Sequence, residues 1–248
     1  MSWKLDARVR FHFATLCAVP FCLSVASVVA AEADAVKSRK GSLLLFGSSS
    51  VNDTFGHLIS EDFERLGFSV VRHGYAAAGL SRPDFRDLRD VLAKLPIERD
   101  VSTVVFYVGA NDAQALWLRP DERPPSTPEQ SAWVSWDDER WPAIYERRVS
   151  ELIQSVCMRG AKHAIMLAPV DVMNVRRQAR LDRIRQLQAH AAALSPCGHF
   201  VSTGGDSTSF GAIPDPLRSD DGFHMTRSGA RRVWQRVREH ILSLLLSG

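Results

Sequence analysis

Cysteine is the first scarcity. Four occur in 248 residues, and two of them, Cys17 and Cys22, fall in an N-terminal stretch that does not read as part of the fold. Only Cys157 and Cys197 are left for the remainder, and no Cys/His spacing resembles a metal site. Glycine-rich loops of the Walker or dinucleotide type are also missing, so no nucleotide cofactor of those kinds is expected. Neither sign of charge dominates: the formal net charge is +3, and removing residues 1–33 takes away three basic and two acidic side chains. A nucleic-acid partner is therefore not implied. In an oxidising compartment Cys157 and Cys197 either pair as a disulfide or stay as buried thiols, and the sequence leaves both open.

The N-terminus states the compartment. Lys4, Arg8 and Arg10 are followed by an uncharged run from Phe13 to Ala31 and by the small-x-small pattern Ala31-Glu32-Ala33. That order describes a secretory signal peptide over residues 1–33, with Val29-Ala30-Ala31 as a second cleavage point. The uncharged run is close to the ~20 residues that cross a bilayer, so an uncleaved anchor is the alternative. Either way the chain is expected to be exported, periplasmic or secreted, with no stable membrane span once the leader is cut. Residues 34–41 read as a polar linker, and residues 42–248 are a length that one α/β domain fills.

Within that domain, apolar runs alternate with helical periodicity. Leu43-Leu44-Leu45-Phe46 reads as a strand buried on both faces. It ends in Gly47-Ser48-Ser49-Ser50 and leads to a helix over Thr54–Leu66. A second strand, Phe68–Val71, is followed by Gly79 and a helix over Pro83–Leu95, with Pro83 suited to its first turn. The third strand, Ser102–Val108, closes in Gly109-Ala110-Asn111-Asp112. Residues from about 113 to 142 lack a clear period and hold Trp117, Trp133, Trp136 and Trp141; they read as a long surface insertion whose rings either stack on sugars or pin the loop. Alternation then resumes: helix Ala143–Arg159, strand His163–Ala168, basic helix Val175–Leu194, strand His199–Ser202, a Gly/Ser-rich loop over Thr203–Ser219, and a last helix to Leu246. The arginines of the Val175–Leu194 helix read as a solvated face. Five strands alternating with helices predict an α/β fold, a three-layer α/β/α sandwich on a five-stranded, mostly parallel sheet.

The chemistry gathers at strand ends. Taken singly, the Ser48-Ser49-Ser50 turn reads as readily as turn and cap residues, and Asp221-Gly222-Phe223-His224 as surface. A parallel sheet, however, brings Ser49, Gly79, Asn111 and His224 to one edge. An Asp three residues before a His can hold the imidazole in one tautomer while its far nitrogen takes a proton.

A Ser turn after the first strand, a Gly after the second, G-x-N-D after the third and D-x-x-H before the last helix resemble the four blocks of the SGNH hydrolases, the GDSL-like lipases and esterases, in an exported bacterial branch. The resemblance implies the flavodoxin-like fold of that superfamily and hydrolysis of carboxylic esters through an acyl-enzyme. It implies Ser49 as nucleophile, His224 as general base and acid, Asp221 as its orienting partner, and an oxyanion hole from the Ser49 and Gly79 N–H groups and the Asn111 amide. Ser48 stands where the family has an acidic residue; Ser49 keeps the family spacing from Gly47, with Ser48 and Ser50 as alternatives. No cofactor or metal is implied. The expected substrate is an acylated carbohydrate or small ester, such as O-acetylated envelope polysaccharide, with Trp117, Trp133 and Trp136 as candidate sugar contacts. A polysaccharide O-acyltransferase using the same residues and a non-catalytic glycan-binding domain are the alternatives.

Overall fold

In the computed structural model the described residues are 41–97, 101–125, 132–172, 174–203, 217–222 and 224–246. The expected signal peptide, nearly all of the linker and most of the Gly/Ser-rich loop lie outside them. The strands are β1 (Ser42–Ser48), β2 (Ser69–Tyr75), β3 (Val101–Tyr107), β4 (Leu116–Trp117), β5 (Trp133–Val134), β6 (His163–Leu167) and β7 (Gly198–Val201). The helices are α1 (Thr54–Arg65), α2 (Pro83–Arg86), α3 (Leu88–Lys94), α4 (Trp141–Met158), α5 (Val175–Ala193) and α6 (Arg227–Leu246).

Five strands pair in the order β2-β1-β3-β6-β7, every pair parallel. The chain steps from β1 outward to β2 and then returns to the other side of β1 for β3. The reversal opens a crevice at the carboxyl ends of β1 and β3, where sheets of this kind bind ligands. Side chains alternate along each strand, so one sheet feeds two cores. Leu44, Phe46, Val104 and Phe106 face the layer of α3, α4 and α5, and Leu43, Leu45, Val105 and Tyr107 face that of α1 and α6.

Two local expectations are corrected. The helix expected over Pro83–Leu95 is interrupted at Asp87, whose extended backbone ends α2 and whose carboxylate accepts the Arg89 N–H at 2.9 Å to cap α3. The tryptophan-rich stretch is more than a surface loop. β4 and β5 pair antiparallel, Leu116 opposite Val134 and Trp117 opposite Trp133, and Leu116, Leu118, Ala132 and Val134 are buried in the core. α4 starts inside the stretch, at Trp141. That ring is fully buried, stacks on Tyr145 with centroids 5.0 Å apart, and donates its indole N–H to the Gln114 carbonyl at 2.8 Å.

Cys157, near the end of α4, is bonded to Cys197, just before β7. Of the two states the sequence left open, the disulfide is the one present. Among the described residues no helix is long and apolar enough to cross a membrane.

Candidate active site

Three of the site's loops leave adjacent strands. β1 lies between β2 and β3, so the segments carrying Ser49, Gly79 and Asn111 emerge side by side. Gly47 makes the first exit, at φ +155°, where an added Cβ would sit 2.2 Å from the Tyr107 carbonyl oxygen; only glycine lets β1 turn this close to β3. A single 3-10 turn, Ser49–Val51, follows before α1. Ser48 is buried at 4% exposure, whereas Ser49 and Ser50 are partly exposed. Asn52 then ties the turn to β2, donating to the Gly74 carbonyl at 2.8 Å and accepting the Gly74 N–H at 3.3 Å.

The fourth segment precedes α6. Arg218 bridges Met225, the Ser219 N–H reaches the His224 carbonyl at 2.8 Å, and Gly222 turns the chain at φ +69°. This tight loop sets the Asp221 carboxylate 2.5 Å from His224 Nδ1, and the other Asp221 oxygen accepts the His224 backbone N–H at 2.9 Å. The far nitrogen, His224 Nε2, is 3.4 Å from Ser49 Oγ. Helix packing maintains the approach. α1 follows the Ser49 turn and α6 follows His224, and the two are joined where Trp234 and Arg238 donate to Asp62 at 3.2 and 2.5 Å. Thr226 Oγ1 accepts the Gly229 N–H at 3.2 Å, as a capping residue of α6 does.

Gly79 and Asn111 are held against each other. The Asn111 amide donates to the Ala78 carbonyl at 2.9 Å, which fixes its plane and, among the described residues, engages one of its two hydrogens. A Cβ on Gly79 would lie 2.3 Å from Asp112 Oδ1. Asp112 is fully buried; its carboxylate accepts the Ser81 N–H at 2.8 Å and the Tyr145 hydroxyl at 3.2 Å, and burial raises its pKa against those hydrogen bonds.

The structure thus brings Ser49, Asp221 and His224 into one line of contacts and sets Gly79 beside Asn111 on neighbouring loops. The tryptophans are arranged differently. Trp117 and Trp133 meet edge to face at 5.0 Å, with Arg123 over the first and Arg82 over the second. Trp136 lies 4.1 Å from Trp141, with Arg180 5.0 Å and Arg183 5.6 Å from its ring. Each of the three carries a guanidinium over its ring.

Residues 42–240 match the family described as "Protein of unknown function (DUF459)". The chain belongs to the DUF459 family. Its α/β fold is shared with several solved structures. One is a variant of Axe2, an acetyl xylan esterase from Geobacillus stearothermophilus, with TM-score 0.56 and 16% identity over 84% of this chain and 95% of that one. Another is LAE5, an alpha/beta hydrolase enzyme from the metagenome of Lake Arreo, Spain, with TM-score 0.53 and 17% identity over 84% and 96%. Further neighbours are catalytic mutants of Axe2, changed at a serine in one and a histidine in the other. No curated protein matches the sequence.

Several residues of this DUF459 chain escaped sequence reading. Asp112 stood inside the G-x-N-D block but had no assigned role. Arg148 is buried on α4, donating to the Leu80 carbonyl, to the Trp117 carbonyl at 2.6 Å and to Glu122. Burial pulls the Glu122 carboxyl upward, but Arg148 and Arg119 outweigh it and hold its pKa down at about 2. Arg177 and Arg180 donate to the Ala110 and Ala113 carbonyls at 2.7 and 2.9 Å, bracketing Asn111. A helical arginine gives no sign in sequence of whether it meets water or a loop carbonyl.

Proposed function

We propose that the chain is an exported serine esterase that removes O-acyl groups, acetyl foremost, from envelope polysaccharide. The observation that carries this reading is the Ser49–His224–Asp221 line of contacts, built from residues 175 positions apart at the crevice end of the sheet. Ser49 Oγ attacks the acyl carbon as His224 Nε2 takes its proton, and Asp221 steadies the imidazolium. Negative charge develops on the acyl oxygen, where the Ser49 and Gly79 N–H groups and the second Asn111 amide hydrogen are the donors. His224 protonates the leaving sugar oxygen, the alcohol departs, and water enters as His224 removes its proton. Collapse of the second tetrahedral intermediate releases the acid and restores Ser49.

Two observations support the reading. The shared fold includes an acetyl xylan esterase, and the Cys157–Cys197 bond suits an oxidising compartment outside the cytoplasm. Trp133, 43% exposed, is the ring best presented to a sugar. The test is hydrolysis of p-nitrophenyl acetate by the folded chain beside its Ser49→Ala variant. Turnover by the first and background by the second are expected; equal turnover would remove Ser49 from the chemistry.

A further inference from the structure

Next to the Asn111 loop a cleft of about 330 Å³ is lined by Ala113, Asn174, Arg176, Arg177 and Arg180. We infer that this cleft receives a negatively charged group on the substrate's glycan, so that the ester to be cleaved sits on an acidic polysaccharide. The inference rests on the esterase reading and names its substrate class.

α5 carries five arginines and one carboxylate, Asp182, which is engaged by Arg185 at 2.8 Å and by Gln178 at 2.9 Å. Among the described residues no carboxylate makes an ion pair with Arg176, Arg180 or Arg183. Arg176 stands in the first turn of α5, which contains no acidic residue. Cations at that end oppose the helix dipole, and Arg176 and Arg180, four residues apart, repel each other. Burial, and then the charge of Arg180, lower the pKa of Arg177. Stability alone would favour acids at positions 176 and 180; a bound anion relieves both the dipole term and the repulsion between these two arginines.

Placement says which anion matters. Arg177 and Arg180 grip the carbonyls on either side of Asn111, so a group bound between them lies against the loop proposed to hold the oxyanion. Arg180 also stacks on Trp136. The combination of planar guanidinium forks and an aromatic ring suits a carboxylate-bearing sugar better than a neutral one.

The test compares kcat/KM for O-acetylated oligogalacturonate and O-acetylated xylo-oligosaccharide of equal length, with binding of unacetylated oligogalacturonate to Ser49→Ala followed by calorimetry. The acidic ester is expected to be favoured by on the order of tenfold or more at low salt, with the ratio shrinking as salt rises. Arg176→Glu should erase the ratio and the binding. Equal rates on both esters at low salt would overturn the inference and leave the esterase intact. If neither ester is cleaved, the esterase reading falls. Arg176-dependent binding of the oligogalacturonate would then still uphold the anion cleft, and absent binding would overturn it too.

Discussion

The Asp112 carboxylate accepts the backbone N–H of Ser81 at 2.8 Å, tying the loop after β3 to the loop after β2. The bond crosses the sheet position of β1 and draws Gly79 against Asn111. Asp112→Ala would leave the Ser81 N–H without this buried acceptor and the Tyr145 hydroxyl without its carboxylate. A loss of about 2–3 kcal/mol in urea unfolding is expected, together with a fall in esterase kcat. Unchanged kcat would mean that the two loops keep their places without this bond.

Asn111→Ala removes the proposed side-chain donor to the oxyanion. A single donor of this type is typically worth ~10²–10³ in rate, so kcat should drop by that factor with little change in KM. A change confined to KM would assign Asn111 to binding.

The fold was legible because long apolar runs and helical periods are read from many residues at once. Leu43–Phe46 and Ser102–Val108 read as strands from their apolar runs, and the block order then located the crevice edge. Elements of two residues were not legible. β4 and β5 have no period to detect, and what makes them strands is Trp117 facing Trp133 across a sequence gap. The break at Asp87 was hidden for the opposite reason: a capping Asp inside a helical pattern looks like any polar helix residue until its backbone is seen extended. The polar supports of the site were least legible. Arg148, Arg177 and Arg180 sit on helices whose charges would ordinarily face water, and their targets are loop carbonyls 67 or 68 positions away. Sequence carries no signal for such a bond.

Cys157 and Cys197 close a loop across a separation of 40 residues. Chain entropy assigns a cross-link of that span about 4 kcal/mol. Urea unfolding with and without reductant should show a shift of this order. An unchanged midpoint would mean that the bond adds no stability to the fold.

His163 Nδ1 lies 3.2 Å from His199 Nε2 at the other end of the sheet from the site. Burial lowers both pKa values below the ordinary 6.5; His163 is lowered further by the charges of His199 and Lys162, and His199 by that of His240. The unfolded chain therefore binds protons first. The stability these residues contribute is complete above about pH 6.5 and is lost as pH falls through their folded values. Urea midpoints measured from pH 8 to 5 should decline, and His199→Gln should flatten the decline. An equal decline in the variant would place its origin elsewhere.

The identity of the nucleophile is the point on which the rest depends. A fluorophosphonate reacts with an activated serine and stays attached, and peptide mass spectrometry then reports which hydroxyl it took. A single adduct on Ser49, greatly slowed in His224→Ala, is expected. An adduct on Ser48 or Ser50, or an unmodified folded chain, would contradict the Ser49 esterase.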